Sequence, residues 1–427
     1  MTFYSDFSHI ISNMRKVSFF NGKNMLLLWI LVWGLLLDKS MQIQMMKQPV
    51  ETISQKPASP VSSQTERTVP KIRVLLMTTG YESYAHQKVS GICGQEDFSY
   101  TADSPAFKES NIIRLGGAGI KTTVTSIERQ CGAPVYSGTL EIHKKDDGLY
   151  VVNEVPLETY LESVVPSEMP PSYEKEALKA QAVCARTYAW KHMSGKGIEI
   201  CSADVDDSVN YQVYGNIEVQ ETSSLAVRET KGQILCHEGE PVEAYYFSTS
   251  SGATSTDEIW GAKTAAPYLK SVDCPFDSNL SWSNWETAIP WETIQKRAQE
   301  KAEKQESLRS LEIIRKTQSG ASLELQVTME TIAFAVEGEY AIREFLSPKG
   351  CSVTGKDGTV TAGGTLLPSS YFSMEILPGE KVLLKGSGYG HGVGMSQNAA
   401  NEMAKEGYTC HEILDYFFRD VSIESCI

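Results

Sequence analysis

Basic residues are scarce in this chain of 427 residues, which has 39 Lys and Arg against 53 Asp and Glu. The formal net charge is −14 at pH 7. Because nucleic-acid binding needs clustered positive charge, this balance argues against a nucleic-acid partner. With 41% hydrophobic and 22% charged residues, the composition is that of an ordinary globular protein with enough apolar material for a core.

Closely spaced cysteines are also missing, since the nine cysteines include no CxxC pair. In an exported protein an odd number of cysteines is compatible with disulfides or with reduced thiols, and the spacing assigns no pairing. Cys184 and the distant His391 are conceivable as a nucleophile and its base. A buried structural cysteine is the commoner case, and nothing beside Cys184 indicates a lowered thiol pKa, so we predict no cysteine hydrolase.

The N-terminal region lacks both a full-length membrane span and a signal cleavage site. The apolar run Met25–Leu37 has 13 residues. As a helix it would cover roughly 20 Å of a ~30 Å hydrocarbon layer, a length typical of a secretory signal core. However, no small-x-small cleavage site follows it. We therefore favour a short uncleaved anchor with residues 1–24 in the cytoplasm and the rest exported, because basic residues precede the run.

The segment after the anchor is rich in Gln, Ser, Thr and Pro. Such a composition cannot bury enough apolar surface to fold, so residues 38–70 are predicted to be a disordered linker. Residues 71–427 alternate between strand and helix patterns without βαβ regularity or an internal repeat. We predict an α+β fold, with mixed helices and antiparallel strands in one elongated catalytic domain behind a single N-terminal membrane segment.

Turn signals and apolar periodicity locate the main elements of this domain. Lys71–Met77 predicts the first strand, and Asp146–Gly148 predicts a hairpin turn. The alternating run that starts at Ser322 predicts further strands. Helices are predicted at four places, with Ser172 as the N-cap of the second: Leu157–Ser163, 172–195, near Trp291–Leu308, and Tyr408–Phe418.

The run PSEMPPSYEKEALKAQAVCARTYAW, at 166–190, puts Glu168 in a proline-braced turn directly before a helix. The prolines restrict the backbone and pre-position the side chain. Its apolar neighbours Val164, Val165 and Met169 would raise the pKa of Glu168 and keep it protonated as a general acid, whereas Arg186 would lower that pKa. Two interpretations stay open here, a catalytic acid and an N-terminal helix carboxylate that only complements the helix dipole.

Polar residues elsewhere offer further candidates for a site. Lys179 and Arg186 lie two turns apart on one helix face, which is usually a solvated face, but the Ala-rich surroundings indicate burial, and a buried Arg needs a partner. The Gly-rich string GSGYGHGVGMSQ, at 386–397, either lets the backbone approach a ligand or forms a tight structural turn. Its spacing fits no dinucleotide or phosphate loop. Aromatic and hydroxyl side chains at 245–252 suit sugar binding, although such strands are mostly core.

At these residues the chain resembles the stage II sporulation protein D family, which includes the amidase enhancers. The resemblance runs from about residue 71 to the C-terminus, and the anchor and linker fit the family's layout. It rests on seven strings in the same order: VPSEMPPSYEKEALKAQAVCARTYAW, YQVYG, AVRETKGQIL, YYFSTSSGATS, PYLKSVDC, LPSSYF and GHGVGMSQNAA.

The resemblance implies a peptidoglycan lytic transglycosylase that leaves a 1,6-anhydro end during endospore engulfment. It implies that Glu168 is the catalytic acid and then the base, so that no second carboxylate is required, unlike in common glycosidases. Six further residues match family positions that line the site, with roles in substrate positioning and charge stabilisation: Lys179, Arg186, Tyr246, Ser250, His391 and Gln397.

The resemblance also implies partners and a location. Expected partners are glycan strands, a cell-wall amidase of the stage II sporulation protein P type and a membrane scaffold protein, at the cell membrane with the catalytic domain outside. The alternative function is a non-catalytic glycan-binding activator of an amidase. No cofactor is expected. Some relatives hold zinc through a His, a Cys and a later His-Cys-Gln; here His192 and Cys201 remain but Asn210-Tyr211-Gln212 replaces the rest, so we predict no structural zinc.

Overall fold

The structure is a computed structural model that describes residues 69–427. The predicted anchor at 25–37 and nearly all of the predicted linker lie outside the described residues. Among the described residues, no helix is long and apolar enough to cross a membrane. These residues belong to one compact unit, in which helices and antiparallel strands alternate along the chain. The predicted α+β class is therefore confirmed.

Seven strands near the N-terminal end of the described chain form the largest sheet, in the order β3-β2-β4-β5-β6-β1-β7. Neighbouring strands are antiparallel except β1 and β7. The predicted first strand and the predicted hairpin are both present, and Lys145 pairs with Gly148 across the turn. The strands are β1 Lys71–Leu76, β2 Lys88–Cys93, β3 Glu96–Thr101, β4 Ile112–Val124, β5 Val135–Lys145, β6 Gly148–Pro156 and β7 Val205–Asp206.

Five of the helices share the first hydrophobic core with this sheet. Small side chains such as Ala182, Ala185 and Ala189 are fully buried in it, which lets the second helix pack tightly among its neighbours. The helices of the described chain are α1 Leu157–Glu168, α2 Lys175–Met193, α3 Glu221–Glu229, α4 Trp291–Ala302, α5 Glu339–Phe345, α6 Gln397–Lys405 and α7 Cys410–Phe417.

A second hydrophobic core lies within residues 285–384 and is built around Trp285, Ile289, Leu325 and Val382. Helices α4 and α5 pack there with a five-stranded sheet, β16-β15-β11-β18-β17, and a three-stranded sheet, β12-β13-β14. The sequence patterns did not predict this second core. Its strands are β11 Trp285–Pro290, β12 Leu308–Lys316, β13 Ser322–Met329, β14 Ala333–Glu337, β15 Ser352–Gly355, β16 Val360–Ala362, β17 Phe372–Leu377 and β18 Lys381–Gly386.

The remaining strands form two small sheets. The order of the three-stranded one is β20-β8-β9, and the other pairs β10 with β19 in parallel. These strands are β8 Gln233–His237, β9 Glu240–Pro241, β10 Tyr246–Phe247, β19 Met395–Ser396 and β20 Ser422–Ser425.

Two of the helix boundaries that differ from the sequence prediction affect the site. Helix α1 continues past Ser163 and through Pro166 to Glu168, so Glu168 ends a helix and does not lie in a turn. A proline so near the end of a helix removes a single backbone hydrogen bond, which α1 tolerates. Helix α2 begins at Lys175 with Glu174, not Ser172, as its N-cap. The Glu174 amide donates to Asn401 Oδ1 at 2.8 Å, so a side chain of α6 satisfies the main-chain donor of the N-cap residue.

Helix α4 is also shorter than predicted and ends at Ala302. Glu303 follows it in a left-handed conformation, with φ 54°. Leu308, the last residue of the predicted helix, begins β12 instead. The final predicted helix is confirmed as α7, where Thr409 and Glu412 form a capping box.

Candidate active site

Glu168 lies at the C-terminal end of α1, half-buried among four other segments of the chain. Its Oε1 accepts a hydrogen bond from the Val213 amide at 2.6 Å. The hydroxyl of Tyr246 lies beside the same carboxyl group and contributes to lowering its pKa. The carboxyl group is therefore held by one main-chain donor and lies next to one phenol.

Burial raises the pKa of Glu168 to about 7, and the hydrogen bonds from Val213 and Tyr246 offset only part of that rise. The C-terminal end of a helix carries partial negative charge, which also disfavours an anion there. A carboxyl group with this pKa is protonated in a large fraction of molecules at neutral pH and can act as a general acid. The interpretation as an N-terminal carboxylate that serves the helix dipole is wrong, because Glu168 lies at the opposite end of a helix.

Tyr246 is positioned by the pairing of β10 with β19, in which it lies opposite Met395. The Gly-rich string makes this pairing possible. Gly394 has φ +80°, and a Cβ there would lie 2.1 Å from the carbonyl oxygen of Tyr245. A Cβ at Gly390 would lie 2.9 Å from the Cβ of Phe247. The glycines therefore let this string approach the strand that carries Tyr246.

A buried polar chain supports the Tyr246 hydroxyl from behind. Gln212 Nε2 donates to the Tyr246 hydroxyl at 3.1 Å, and Gln212 Oε1 accepts from the Tyr160 hydroxyl at 3.1 Å. Gln212 is fully buried. The Gln212 amide group thereby fixes the position of the phenol oxygen beside Glu168.

The loop that carries Gln212 and Val213 is fixed by a buried ion pair. Arg129 Nη2 lies 2.5 Å from Asp207 Oδ2, and both side chains are fully buried. Asp207 also accepts from the Met77 amide at 2.9 Å. Burial raises the pKa of Asp207 to about 6 despite the adjacent guanidinium group. The pair ties the loop to the end of β1 and thereby fixes the Val213 amide against Glu168.

The side chain of Gln397, the first residue of α6, contacts the main chain of Glu168. Its Nε2 donates to the Glu168 carbonyl oxygen at 3.1 Å and to Gln181 Oε1 at 3.3 Å. Two buried donors near Glu168 have no hydrogen-bond partner in the described part of the chain: Gln181 Nε2 and the Tyr81 hydroxyl. Tyr81 has a left-handed backbone, with φ 57°, and the charge of Glu168 contributes to raising its pKa.

His391 lies behind Tyr246 and does not contact Glu168. Burial lowers its pKa to about 3, so the ring is neutral, and its Nδ1 accepts a hydrogen bond from the Val393 amide at 3.1 Å. The imidazole packs against Trp260 at a ring distance of 5.0 Å. Trp260 is 43% exposed, which makes it an aromatic surface next to the site that the sequence patterns did not indicate.

Three of the predicted site residues are engaged elsewhere. Arg186 is fully buried and binds both carboxylate oxygens of Glu158, at 2.9 and 2.8 Å. A partner for this buried arginine was expected, but it is Glu158 at the other end of α1. Lys179 pairs with Glu176 at 2.9 Å. The Ser250 hydroxyl donates to Asp277 Oδ1 at 2.7 Å. Among the predicted residues, the structure thus brings together Glu168, Tyr246 and Gln397, with His391 behind them.

Sequence reasoning missed several residues that complete the site. Tyr160 lies two helical turns before Glu168, a same-face spacing that could have indicated it. Gln212 and Val213 lie within the string YQVYG, which was identified as a motif without an assigned role. No pattern indicated Tyr81, because its proximity to Glu168 depends on the long-range packing of the loop after β1.

The residues considered for zinc are separated into different environments. The His192 ring packs against Tyr188 and Tyr211, at 4.4 and 5.2 Å. Cys201 belongs instead to a small apolar cluster with Ile198, and Gln212 is bonded to Tyr246. Within residues 69–427 there is no group of three or more His, Cys, Asp or Glu side chains that could hold a metal ion.

Comparison with known proteins agrees with the resemblance. The family model described as stage II sporulation protein matches residues 145–237, a range that includes Glu168 and Gln212. The chain is 30% identical to stage II sporulation protein D of Bacillus subtilis over 354 residues, which cover 80% of this chain and 89% of that protein. The chain belongs to the stage II sporulation protein D family.

Two further relatives show how far the likeness extends. Stage II sporulation protein D of Bacillus amyloliquefaciens is 32% identical over 287 residues, which cover 64% of this chain and 75% of that protein. The amidase enhancer of Bacillus subtilis is 28% identical over 297 residues, covering 62% of this chain and 40% of that protein. The first of these relatives is named for sporulation and the second for the enhancement of an amidase.

Proposed function

We propose that this protein is a peptidoglycan lytic transglycosylase that cleaves denuded glycan strands between N-acetylmuramic acid and N-acetylglucosamine. The observation that carries the proposal is the state of Glu168: a carboxyl group with a pKa of about 7, on a half-buried residue, hydrogen-bonded to a main-chain amide and next to a phenol. This is the protonation state that a general acid needs near neutral pH.

In the proposed reaction, Glu168 gives its proton to the glycosidic oxygen that links C1 of the muramic acid to the next sugar. The C1–oxygen bond breaks, and the 6-hydroxyl oxygen of the same muramic acid bonds to C1. The Glu168 carboxylate takes the 6-hydroxyl proton and is restored to its starting form. No water is consumed, and the intramolecular attack benefits from the proximity of the hydroxyl group.

The surroundings of Glu168 support a mechanism with one catalytic carboxylate and not one with a pair. In the described part of the chain, no second carboxylate contributes to the pKa shift of Glu168. A retaining glycosidase has a second carboxyl group ~5 Å away, which would perturb the first. The Val213 amide and the Tyr246 hydroxyl stabilise the carboxylate that forms during the reaction, and they fix its orientation for the return of the proton.

The test is a product assay on glycan strands stripped of stem peptides. We expect wild-type protein to yield anhydro-ended fragments and Glu168→Gln to yield at least 100-fold less, which is the usual scale for loss of a general acid. Glu174→Gln is the matched control, because Glu174 is exposed and lies just beyond the site; it should retain full activity. No product from the wild type, or equal product from Glu168→Gln, would contradict the proposal.

A second candidate function is a non-catalytic activator of a cell-wall amidase, and the 28% identity to an amidase enhancer favours it. This function predicts that Glu168→Gln still binds glycan and still stimulates an amidase as much as the wild type does. Stimulation with no anhydro product from either protein would establish this alternative. If stimulation depends on Glu168 and follows product formation, the transglycosylase is the primary function.

The location and partners belong to the same proposal. We place the domain outside the cytoplasm, anchored in the membrane by residues 25–37, and acting during endospore engulfment beside an amidase of the stage II sporulation protein P type and a membrane scaffold protein. The amidase would supply the stripped strands. Removing residues 1–37 should release the protein from the membrane fraction of sporulating cells; retention there would contradict the anchor.

A further inference from the structure

A groove of about 740 Å³ lies outside the hydrogen-bonded network of Glu168. It is bordered by strands of the second core and by two loops that pack against the first, and none of the residues bonded to Glu168 lines it. Three lysines do: Lys316, Lys356 and Lys385. All three are exposed at the surface.

The positive charge of this groove is only partly offset by a neighbouring acid, because Glu286 lies opposite Lys385 where β11 pairs with β18. Lys316 Nζ donates to the carbonyl oxygen of Phe372 at 3.1 Å, and Lys356 Nζ to that of Ser278 at 2.6 Å. Carbonyl groups orient an ammonium group without cancelling its charge. Glu286 is the one acidic residue among the described lining residues. The groove therefore has a positive balance on a chain whose net charge is −14, and it would attract an anion.

The rest of the groove lining is rich in hydroxyl groups, and a buried tryptophan forms the base of the groove. Ser251, Ser319, Ser373 and Ser387 all contribute to it, and such side chains bind sugar hydroxyls. Beneath them, Trp285 is buried and its Nε1 donates to the Gly388 carbonyl oxygen at 3.0 Å. Cations beside hydroxyl groups on a rigid floor fit a carbohydrate that carries negative charges.

The groove and the Glu168 site share two segments of the chain. Ser251 follows Tyr246 by five residues, so their Cα atoms are at most about 18 Å apart. Gly386 and Ser387 at the groove begin the Gly-rich string that leads to Gln397 at the active site. A polymer several sugars long is long enough to span this distance.

We infer that the groove lined by Lys316, Lys356 and Lys385 binds the lactyl carboxylates of stripped glycan strands, at sugars beyond the bond that is cleaved. The inference rests on the proposed function. Removing a stem peptide converts the amide on the muramic acid lactyl group into a carboxylate, so a stripped strand is a polyanion and a peptide-bearing strand lacks these charges. The groove thus gives a physical basis for preferring stripped strands.

Binding should be measured with the full chain carrying Glu168→Gln, so that no strand is cut. The ligands are stripped strands and the same strands with their lactyl carboxylates converted to methylamides. The groove variant adds Lys316→Gln, Lys356→Gln and Lys385→Gln. The matched control instead adds the same change at three exposed lysines outside the groove, which alters the net charge equally: Lys301, Lys349 and Lys381.

We expect the groove variant to bind the carboxylate strands about tenfold more weakly, since three exposed ion pairs together contribute on this scale. Binding of the methylamide strands should not change, and the control should stay within about twofold of its parent. The inference is overturned if both strands weaken equally, if the control weakens as much, if affinity does not change, or if Glu168→Gln binds neither strand. Groove-dependent binding of poly(glycerol phosphate) as tight as that of the glycan would also overturn it.

Failure here is distinguishable from failure of the proposed function. Anhydro product from the wild type, with binding that does not depend on the lysines, removes only the inference. Lysine-dependent binding of carboxylate strands, with no anhydro product from the wild type, removes only the proposed reaction.

Discussion

Helix α1 carries a glutamate near each end, and the two have opposite surroundings. Glu158 lies in the first turn, where the helix dipole favours an anion, and it binds the fully buried guanidinium group of Arg186 through both oxygens. Glu168 lies in the last turn, where the dipole disfavours an anion, and no cation contributes to its pKa. The same residue type is thus a structural anion at one end and a protonated acid at the other.

The difference shows how position sets the role of a carboxylate. The sequence placed Arg186 on the helix that directly follows the candidate acid, so it appeared to be a site residue that would lower the pKa of Glu168. In the structure Arg186 instead binds Glu158. Glu158 lies about ten residues before Glu168 on α1, or roughly 15 Å along the helix. Without that cation, burial determines the pKa of Glu168.

The largest effect expected from this comparison is on stability. Arg186→Met leaves Glu158 without its cation and several carbonyl groups without a donor, so we expect a loss of about 3 kcal/mol in the free energy of unfolding. Urea unfolding measures this, and the specific activity of the folded protein should remain near that of the wild type. Arg228→Met is the control; Arg228 is 47% exposed, so its loss should cost under about 1 kcal/mol. Loss of activity without loss of stability would assign Arg186 to the site after all.

The second effect concerns the pH dependence of stability at the other end of α1. The pKa of Glu168 is raised from 4.5 to about 7 by folding. The unfolded chain therefore binds fewer protons between these values, and the stabilising contribution of Glu168, complete below pH 4.5, is lost as the pH rises through about 7. Relative to Glu168→Gln, the wild type should lose about 3 kcal/mol between pH 4.5 and pH 8.

Chemical unfolding of both proteins across this pH range measures that difference. The other titrating groups, including Asp207, are present in both proteins and cancel in the comparison. Glu174→Gln should show no such pH-dependent difference from the wild type. A flat difference for Glu168→Gln would mean that the carboxyl group is ionised throughout.

The third effect separates Tyr246 from Glu168 by kinetics. Because the protonated form of Glu168 is the active one, kcat/KM should fall tenfold for each pH unit above about 7. The Tyr246 hydroxyl lowers the pKa of Glu168. Tyr246→Phe should therefore move the falling limb of the pH profile of kcat/KM to higher pH and reduce the maximum of the profile about tenfold. Tyr245→Phe is the control and should leave the limb in place. A limb that moves to lower pH would contradict the hydrogen-bond assignment.

The smallest effect is expected at Lys179. This side chain pairs with Glu176 near the surface, so Lys179→Met should cost under about 1 kcal/mol of stability. Activity on stripped strands should change by less than about twofold. A large increase in KM, measured with the same strands, would show that the substrate reaches α2 and would restore the role that the resemblance implied.

The fold was predictable where local signals act. The first strand, the hairpin at Lys145 and Gly148, and α7 with its capping box all follow from alternation, turn residues and caps. The second hydrophobic core did not follow, because its five-stranded sheet pairs β11 with the distant strands β15 and β18. Helix α1 was predicted too short, because a proline normally indicates a helix end; here it falls within the last turn.

Part of the candidate site was also predictable. Glu168, Tyr246 and Gln397 were named from strings far apart in the sequence, and the structure brings them together. Burial of Arg186 was inferred correctly from the Ala-rich helix, but its partner depends on which end of α1 faces α2, which spacing cannot show. The positions of Tyr81 and Gln212 depend on loops fixed by the Arg129–Asp207 pair, a contact between distant segments.

The proposed mechanism depends most on Glu168 serving as the sole acid and base for an intramolecular attack. Mass spectrometry of the fragments produced from stripped strands in oxygen-18-labelled water tests this directly. We predict anhydro-muramic ends that contain no oxygen-18, because the bond to C1 is made by the sugar's own hydroxyl group. Reducing ends that carry oxygen-18 would show that water attacks C1, and they would contradict the single-carboxylate mechanism.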